Sequence, residues 1–178
     1  MKKFCVLALL VFAVCSSRTA SAQIPNAKDV VSSTAYTSFE PVARGKEFQI
    51  AVVLKIRDGY HINARKTTLE YLIPTELRAE LPVGYKASEV TYPNGTLRSF
   101  AFSQSEKLNV YTGTVTLHLK VTAPADAPLG TQHIPLKLRY QACSESVCLP
   151  PVRQDVDASF TLAADAKPAH AEFFKPKP

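Results

Sequence analysis

The run Phe48-Gln49-Ile50-Ala51-Val52-Val53-Leu54-Lys55-Ile56 puts Phe48, Ile50, Val52, Leu54 and Ile56 on one side of an extended chain. Gln49, Ala51, Val53 and Lys55 fall on the other, because successive side chains of a β-strand point to opposite faces. The same period of two recurs in Val115-Leu117-Leu119-Val121, Ile134-Leu136-Leu138-Tyr140 and Val156-Ala158-Phe160-Leu162. Each run therefore reads as a half-buried strand with one face in a core and one in water. Turn signals separate them at Arg57-Asp58-Gly59, Pro82-Val83-Gly84, Pro93-Asn94-Gly95 and Pro124 to Gly130. Thirteen Pro and six Gly in 178 residues disfavour long helices, since proline neither continues a helix nor donates to a ladder. With 46% hydrophobic and 20% charged residues, the chain can build a core and is not mainly disordered. The expectation is all-β: an immunoglobulin-like antiparallel β-sandwich, in a single domain.

The ends read differently. Met1-Lys2-Lys3, the apolar run Phe4 to Val14, and the small-residue end Ala20-Ser21-Ala22 have the grammar of a secretory signal peptide cleaved after Ala22. The apolar run is too short for the ~20 residues that span a bilayer, and the bulky Val14 argues against a lipoprotein reading at Cys15. Residues 1–22 are thus expected to be removed, 23–162 to form the domain, and 163–178 to be a disordered Ala/Lys/Pro-rich tail. Removing Lys2, Lys3 and Arg18 lowers the basic count from 21 to 18 against 15 acids, so the net charge falls from +6 to +3. Nothing in that charge or in the motifs suggests a nucleic-acid partner. The processed chain is expected to be an exported, periplasmic monomer with no cofactor and no metal.

Cleavage also removes Cys5 and Cys15, leaving Cys143 and Cys148 in the connection Tyr140-Gln141-Ala142-Cys143-Ser144-Glu145-Ser146-Val147-Cys148-Leu149-Pro150-Pro151. In an oxidising compartment a hairpin brings such a pair within the ~7 Å that a disulfide requires. A loop this short gains only about 2 kcal/mol from cross-linking, so the bond is a weak staple and is better placed to be opened by a partner thiol. A local brace and a metal site remain the other readings. Zinc would need two further ligands from His61, His118, His133 and His170, which show no ligand spacing, and the processed chain has no methionine for a thioether copper site.

The ordered motifs Gly59-Tyr60-His61-Ile62-Asn63, Tyr71-Leu72-Ile73-Pro74-Thr75, Val90-Thr91-Tyr92-Pro93-Asn94-Gly95 and Tyr140 to Pro151 resemble the N-terminal periplasmic domain of the DsbD thiol-disulfide reductases, also called the disulfide bond corrector family. The resemblance covers roughly Val42 to Leu162. It implies protein-disulfide reductase-type thiol-disulfide exchange, with Cys143 and Cys148 as the redox pair, Cys148 as the cysteine attacked, and thioredoxin-fold periplasmic proteins, including cytochrome c maturation factors, as partners. It also implies a mobile cap over the cysteines. Phe100 or Phe102 would be its lid, unless both are alternating core residues of a strand. The acidic-aromatic cap motif of the best-known members is absent. Tyr60, Tyr71 and Tyr140 are candidates for an aromatic wall beside the sulfurs, or for simple core packing. Because the sequence carries no membrane-spanning run after the signal peptide, a separate membrane-embedded thiol reductase is the expected electron donor. The competing function is a non-catalytic immunoglobulin-like binding module whose disulfide only braces a loop. No Ser/His/Asp arrangement or carboxylate pair supports a hydrolase.

Overall fold

A computed structural model describes residues 24–103 and 106–175; the expected signal peptide lies outside them. Strands form where side chains alternate: β1 (Val31–Thr37), β2 (Val42–Ala43), β3 (Glu47–Ile56), β4 (His61–Asn63), β5 (Glu76–Ala79), β6 (Lys86–Ala87), β7 (Thr96–Ser99), β8 (Lys107–Tyr111), β9 (Thr114–Thr122), β10 (Gly130–Tyr140), β11 (Ala142–Cys143) and β12 (Val152–Ala163). Among the described residues, helical structure is confined to 3₁₀ turns at Ala27–Asp29, Ala101–Ser103 and Ala171–Phe173.

Two four-stranded sheets, ordered β1-β3-β9-β6 and β2-β12-β10-β5, build the immunoglobulin-like β-sandwich. Their inner faces are the apolar sets of the alternating runs, and Phe48 of β3 meets Phe160 of β12 at 4.9 Å between ring centroids. Ile50, Leu54, Leu117, Ile134, Leu136 and Leu138 are among the fully buried side chains of this core. Each such side chain contributes roughly 1.5–3 kcal/mol by leaving water. The pairings are antiparallel except that of β2 with β12, which is parallel through Leu162 and Val42.

A third sheet, β11-β4-β8-β7, is made by strands that leave the sandwich. β3 ends at Ile56, turns through Arg57-Asp58-Gly59 and resumes as β4. Gly59 has φ +80°, a left-handed value that glycine adopts without strain, and the Tyr60 N–H closes the turn on the Arg57 carbonyl at 3.1 Å. Likewise β8 passes through Thr112-Gly113 into β9, and β10 bends at Gln141 into β11. Strands that switch sheets in this way make the corners of sandwiches. A satellite core of Leu72, Phe100, Leu108 and Val110 holds the third sheet's outer hairpin.

Two expectations change. Ala51 and Val53, assigned to the water-facing side of β3, are buried, and residues 164–175 pack back on the sandwich, Phe173 reaching that side, instead of forming a solvated tail. The Glu40 N–H donates to the Lys167 carbonyl at 2.8 Å, the Lys167 N–H to the Pro41 carbonyl at 3.0 Å and the Ala169 N–H to the Ser38 carbonyl at 3.0 Å. Phe173 then stacks on Tyr36 with centroids 4.4 Å apart and lines a cleft with Val53. The composition argument for disorder counted side chains. It had no access to the backbone hydrogen bonds and aromatic contacts that the 38–41 segment and Tyr36 supply. A stacked aromatic pair contributes about 0.5–1.5 kcal/mol beyond area burial. Phe173→Ala is therefore expected to raise proteolytic cleavage within 164–175 about ten-fold, read by mass spectrometry, while the sandwich unfolds at an unchanged denaturant midpoint. An unaltered cleavage rate would mean that Phe173 does not hold the segment.

Candidate functional site

The two cysteines sit opposite each other in a hairpin at the rim of the third sheet. The Ser144 N–H donates to the Val147 carbonyl and the Leu149 N–H to the Ala142 carbonyl, both at 2.8 Å. These bonds flank the Cys143–Cys148 bridge and make it a non-hydrogen-bonded antiparallel pair, the position where facing side chains come closest. The Cα atoms are 3.9 Å apart and the sulfurs are bonded. The Ser144 hydroxyl accepts from the Ser146 N–H at 3.3 Å and the Val147 N–H at 3.2 Å, so the turn is braced by its own side chain. Exposure is unequal: Cys143 is 1% exposed, whereas Cys148 stands in the exposed part of the turn.

On its other side Cys143 pairs with β4, and its direct cross-strand partner is His61. Directly opposed residues share a face of the sheet with Cβ atoms about 4.5–5.5 Å apart, so imidazole, Cys143 and Cys148 form a row. His61 is 2% exposed, and its Nε2 has no hydrogen-bond partner among the described residues. Phe100 stacks on the imidazole at 4.0 Å and 20°; Phe102 lies parallel to Phe100 at 5.5 Å. Arg98 sits over the outer ring system, 5.9 Å from the Phe100 centroid. Burial, and then the Arg98 guanidinium, hold the His61 pKa down to about 4.

Phe100 and Phe102 are thus neither an alternating strand pair nor free loop residues. Strand β7 ends at Ser99, and both rings project from the turn 100–103. Phe100 is 4% and Phe102 38% exposed. The Ser103 hydroxyl ties this turn down: it donates to the Glu106 carbonyl at 2.7 Å and accepts the Phe100 N–H at 3.2 Å. Gly95 sets where the hairpin begins. A Cβ there would come within 2.7 Å of the Ala64 Cβ and closer still to the Asn109 carboxamide.

The remaining motif residues are clamps. Asn63 Nδ2 donates to the Ile73 carbonyl at 3.0 Å and the Thr75 hydroxyl to the Asn63 carbonyl at 2.6 Å, joining the first two motifs. The Leu77 N–H donates to the Tyr92 oxygen at 2.8 Å, and the Tyr111 hydroxyl to the Pro93 carbonyl at 2.8 Å.

The aromatic wall is not made of the tyrosines. Tyr71 is 78% exposed. Tyr60 packs against the main core. Tyr140 is fully buried within that core, its hydroxyl donating to the Ala27 carbonyl at 3.2 Å, and desolvation followed by nearby Asp29 pushes its pKa up to about 12. Of the histidines, only His61 joins the cysteines: His133 bonds Asp157 at 2.7 Å, His118 lies near Phe174 and His170 against Tyr36. Arg139 is 3.7 Å from Glu76 and faces Arg153 across the ladder, so Arg98 is the cation at the site. In the sequence His61 stood out as a zinc candidate without ligand spacing and as a member of the Gly59-to-Asn63 motif, with no sign of its place beside the cysteines. Its register opposite Cys143 joins residues 82 positions apart, and no local pattern encodes that.

Comparison with known proteins agrees with this architecture. The family model of the N-terminal region of the thiol:disulfide interchange protein DsbD matches residues 28–159. Among solved structures, the reduced DsbD N-terminal domain of Neisseria meningitidis is similar at 16% identity and TM-score 0.44, covering 75% of this chain and 91% of that one. The DsbD N-terminal domain in its complex with the PilB N-terminal domain, also from Neisseria meningitidis, gives 21%, 0.44, 70% and 80%. The N-terminal periplasmic domain of ScsB from Proteus mirabilis gives 16%, 0.47, 80% and 50%. No curated protein sequence gives a significant match. The family match spans most of the chain, and the chain belongs to the DsbD N-terminal family.

Two outcomes are expected. Histidine in an unfolded chain titrates near 6.5, so between pH about 6.5 and 4 the unfolded chain binds a proton that folded His61 refuses. Stability of the disulfide form is therefore full above that range and declines as pH falls through it, by up to about 3 kcal/mol. Urea unfolding at pH 7 and 4.5 measures the loss, which His61→Phe should reduce; an identical slope in that variant would place the imidazole in water. Gly95→Ala should cost about 1–3 kcal/mol through overpacking and speed amide exchange in β8. Unchanged exchange there would mean that the hairpin accommodates a methyl group.

Proposed function

We propose that this member of the DsbD N-terminal family is a periplasmic thiol-disulfide exchange protein whose Cys143–Cys148 pair carries two electrons to or from thioredoxin-fold partners. The observation that carries this reading is the unequal exposure of the two sulfur-bearing residues. A thiol-disulfide exchange begins when a thiolate reaches one sulfur of the bond. Cys148 is exposed at the end of the four-residue turn 144–147, while Cys143 is buried beside His61. The partner's thiolate attacks Cys148, the S–S bond breaks with its electron pair left on Cys143, and the partner's second thiol resolves the mixed disulfide.

The surroundings support the same reading. Closing so short a loop contributes only about 2 kcal/mol, so the domain, held by its sandwich core, keeps its fold when the bond opens. The Phe100–Phe102 stack closes over the His61 side of the row and limits the approach of small thiols from there. The class of electron donor this reading calls for is a membrane-embedded thiol reductase. Among the described residues, no helix is long and apolar enough to cross a membrane.

The equilibrium potential of the pair, read by thiol trapping in a glutathione or dithiothreitol series, is expected between roughly −120 and −270 mV. Cys143→Ser, which leaves the exposed thiol, should accumulate mixed disulfides with a thioredoxin-fold partner supplied in its disulfide form, Cys148 attacking and one partner sulfur leaving as thiolate. Cys148→Ser should trap at least ten-fold less. A potential far below about −300 mV would make the bond a loop brace and the domain a binding module.

A further inference from the structure

We propose that His61 is the proton partner of Cys143, taking up a proton as the disulfide opens and releasing it as the bond reforms. The inference rests on the exchange reading above and assigns the other half of that site. Geometry carries it. His61 is the direct cross-strand neighbour of the cysteine that becomes the leaving group. Its Nε2 is buried without a hydrogen-bond partner among the described residues, and a buried polar group left unpaired calls for an explanation, such as a role in another state of the site. Phe100 covers one ring face at 4.0 Å and fixes the plane in which the nitrogens lie.

The chemistry balances. A partner thiolate forms a new S–S bond to Cys148 Sγ; the Cys143–Cys148 bond breaks and its electron pair stays on Cys143 Sγ as a thiolate. That anion is generated in a site closed to water by β4, β11 and the 100–103 turn, where an isolated charge is strongly disfavoured. A proton from solvent then joins the imidazole–thiolate pair. The partner's second thiolate attacks the partner sulfur of the mixed disulfide and releases Cys148 as a thiolate, which is protonated in water. A partner dithiol has become a disulfide, and its two hydrogens' equivalents reside on Cys143/His61 and Cys148.

The groups around the imidazole set its direction. Arg98 on β7 and burial keep it neutral while the bond is closed, so it is a vacant acceptor when the thiolate appears. Glu106 and Lys107 stand at the base of the cap and Glu145 in the exposed turn. Tyr111 on β8 is opposite Ile62, one residue on from His61. The new charge on opening is that of Cys143, and an adjacent anion favours the protonated imidazole.

Isotope-labelled histidine NMR titrations of the unmodified protein, in the disulfide form and after phosphine reduction, test this without any variant. The His61 pKa is expected to rise by at least one unit on reduction; equal values in the two forms would overturn the proposal. His61→Phe and His61→Gln give the kinetic readout: opening by dithiothreitol at pH 7 should slow at least ten-fold, with a shifted pH profile. Wild-type rate and profile in a folded variant would also overturn it. Phosphine reduction reaches the dithiol form whatever the potential. A normal potential with an unmoved His61 therefore sinks this inference alone, and a disulfide no dithiol can open sinks the exchange reading itself.

Discussion

Phe48 against Phe160, with the apolar faces of β3, β9, β10 and β12 around them, is the contact on which the rest of the molecule depends. It holds two sheets together tightly enough for strands to run on past the sandwich and still be rigid. β4 is the continuation of β3, β8 leads into β9, and β11 is the continuation of β10. The third sheet is therefore cantilevered from the core by three separate strands, and the cysteine hairpin inherits its position from them. The hairpin is thus placed by the strands that lead into it, and not by the disulfide alone.

Within that frame the site is arranged by asymmetry. Cys143, paired with β4, is buried; Cys148, bridged to it across the hairpin, is exposed. The buried member is flanked by an imidazole held neutral by desolvation and by Arg98, and the imidazole is itself covered by Phe100. The dry side therefore disfavours charge while the bond is intact and has a proton acceptor available when the bond is broken. Water and partners reach the pair from the Cys148 side.

The motifs that carry the family resemblance divide between scaffold and chemistry. The Asn63 Nδ2 and the hydroxyls of Thr75, Tyr92 and Tyr111 bond backbone partners, and Gly95 is needed because no side chain fits there against Asn109 and Ala64. Of the aromatic residues singled out in the sequence, the three tyrosines lie in the core or in solvent, and the two phenylalanines stack beside His61 at the turn 100–103. Alternation alone does not separate these fates. A residue at a core-spaced position and one in a turn over a neighbouring strand have the same local signature.

The amino-acid sequence by itself determined the class of fold, the faces of the four long strands and the pairing of the last two cysteines, since period-two alternation and short-range loop closure are local properties. Only the tertiary structure decided which cysteine is buried, that His61 stands beside it, that Phe100 closes over the imidazole, and that residues 164–175 pack on the sandwich with Phe173 at the outer face of β3. Each of these depends on register or docking between segments far apart in the chain. Such contacts are selected by the packing of the whole sandwich and leave no periodic mark on the residues that make them.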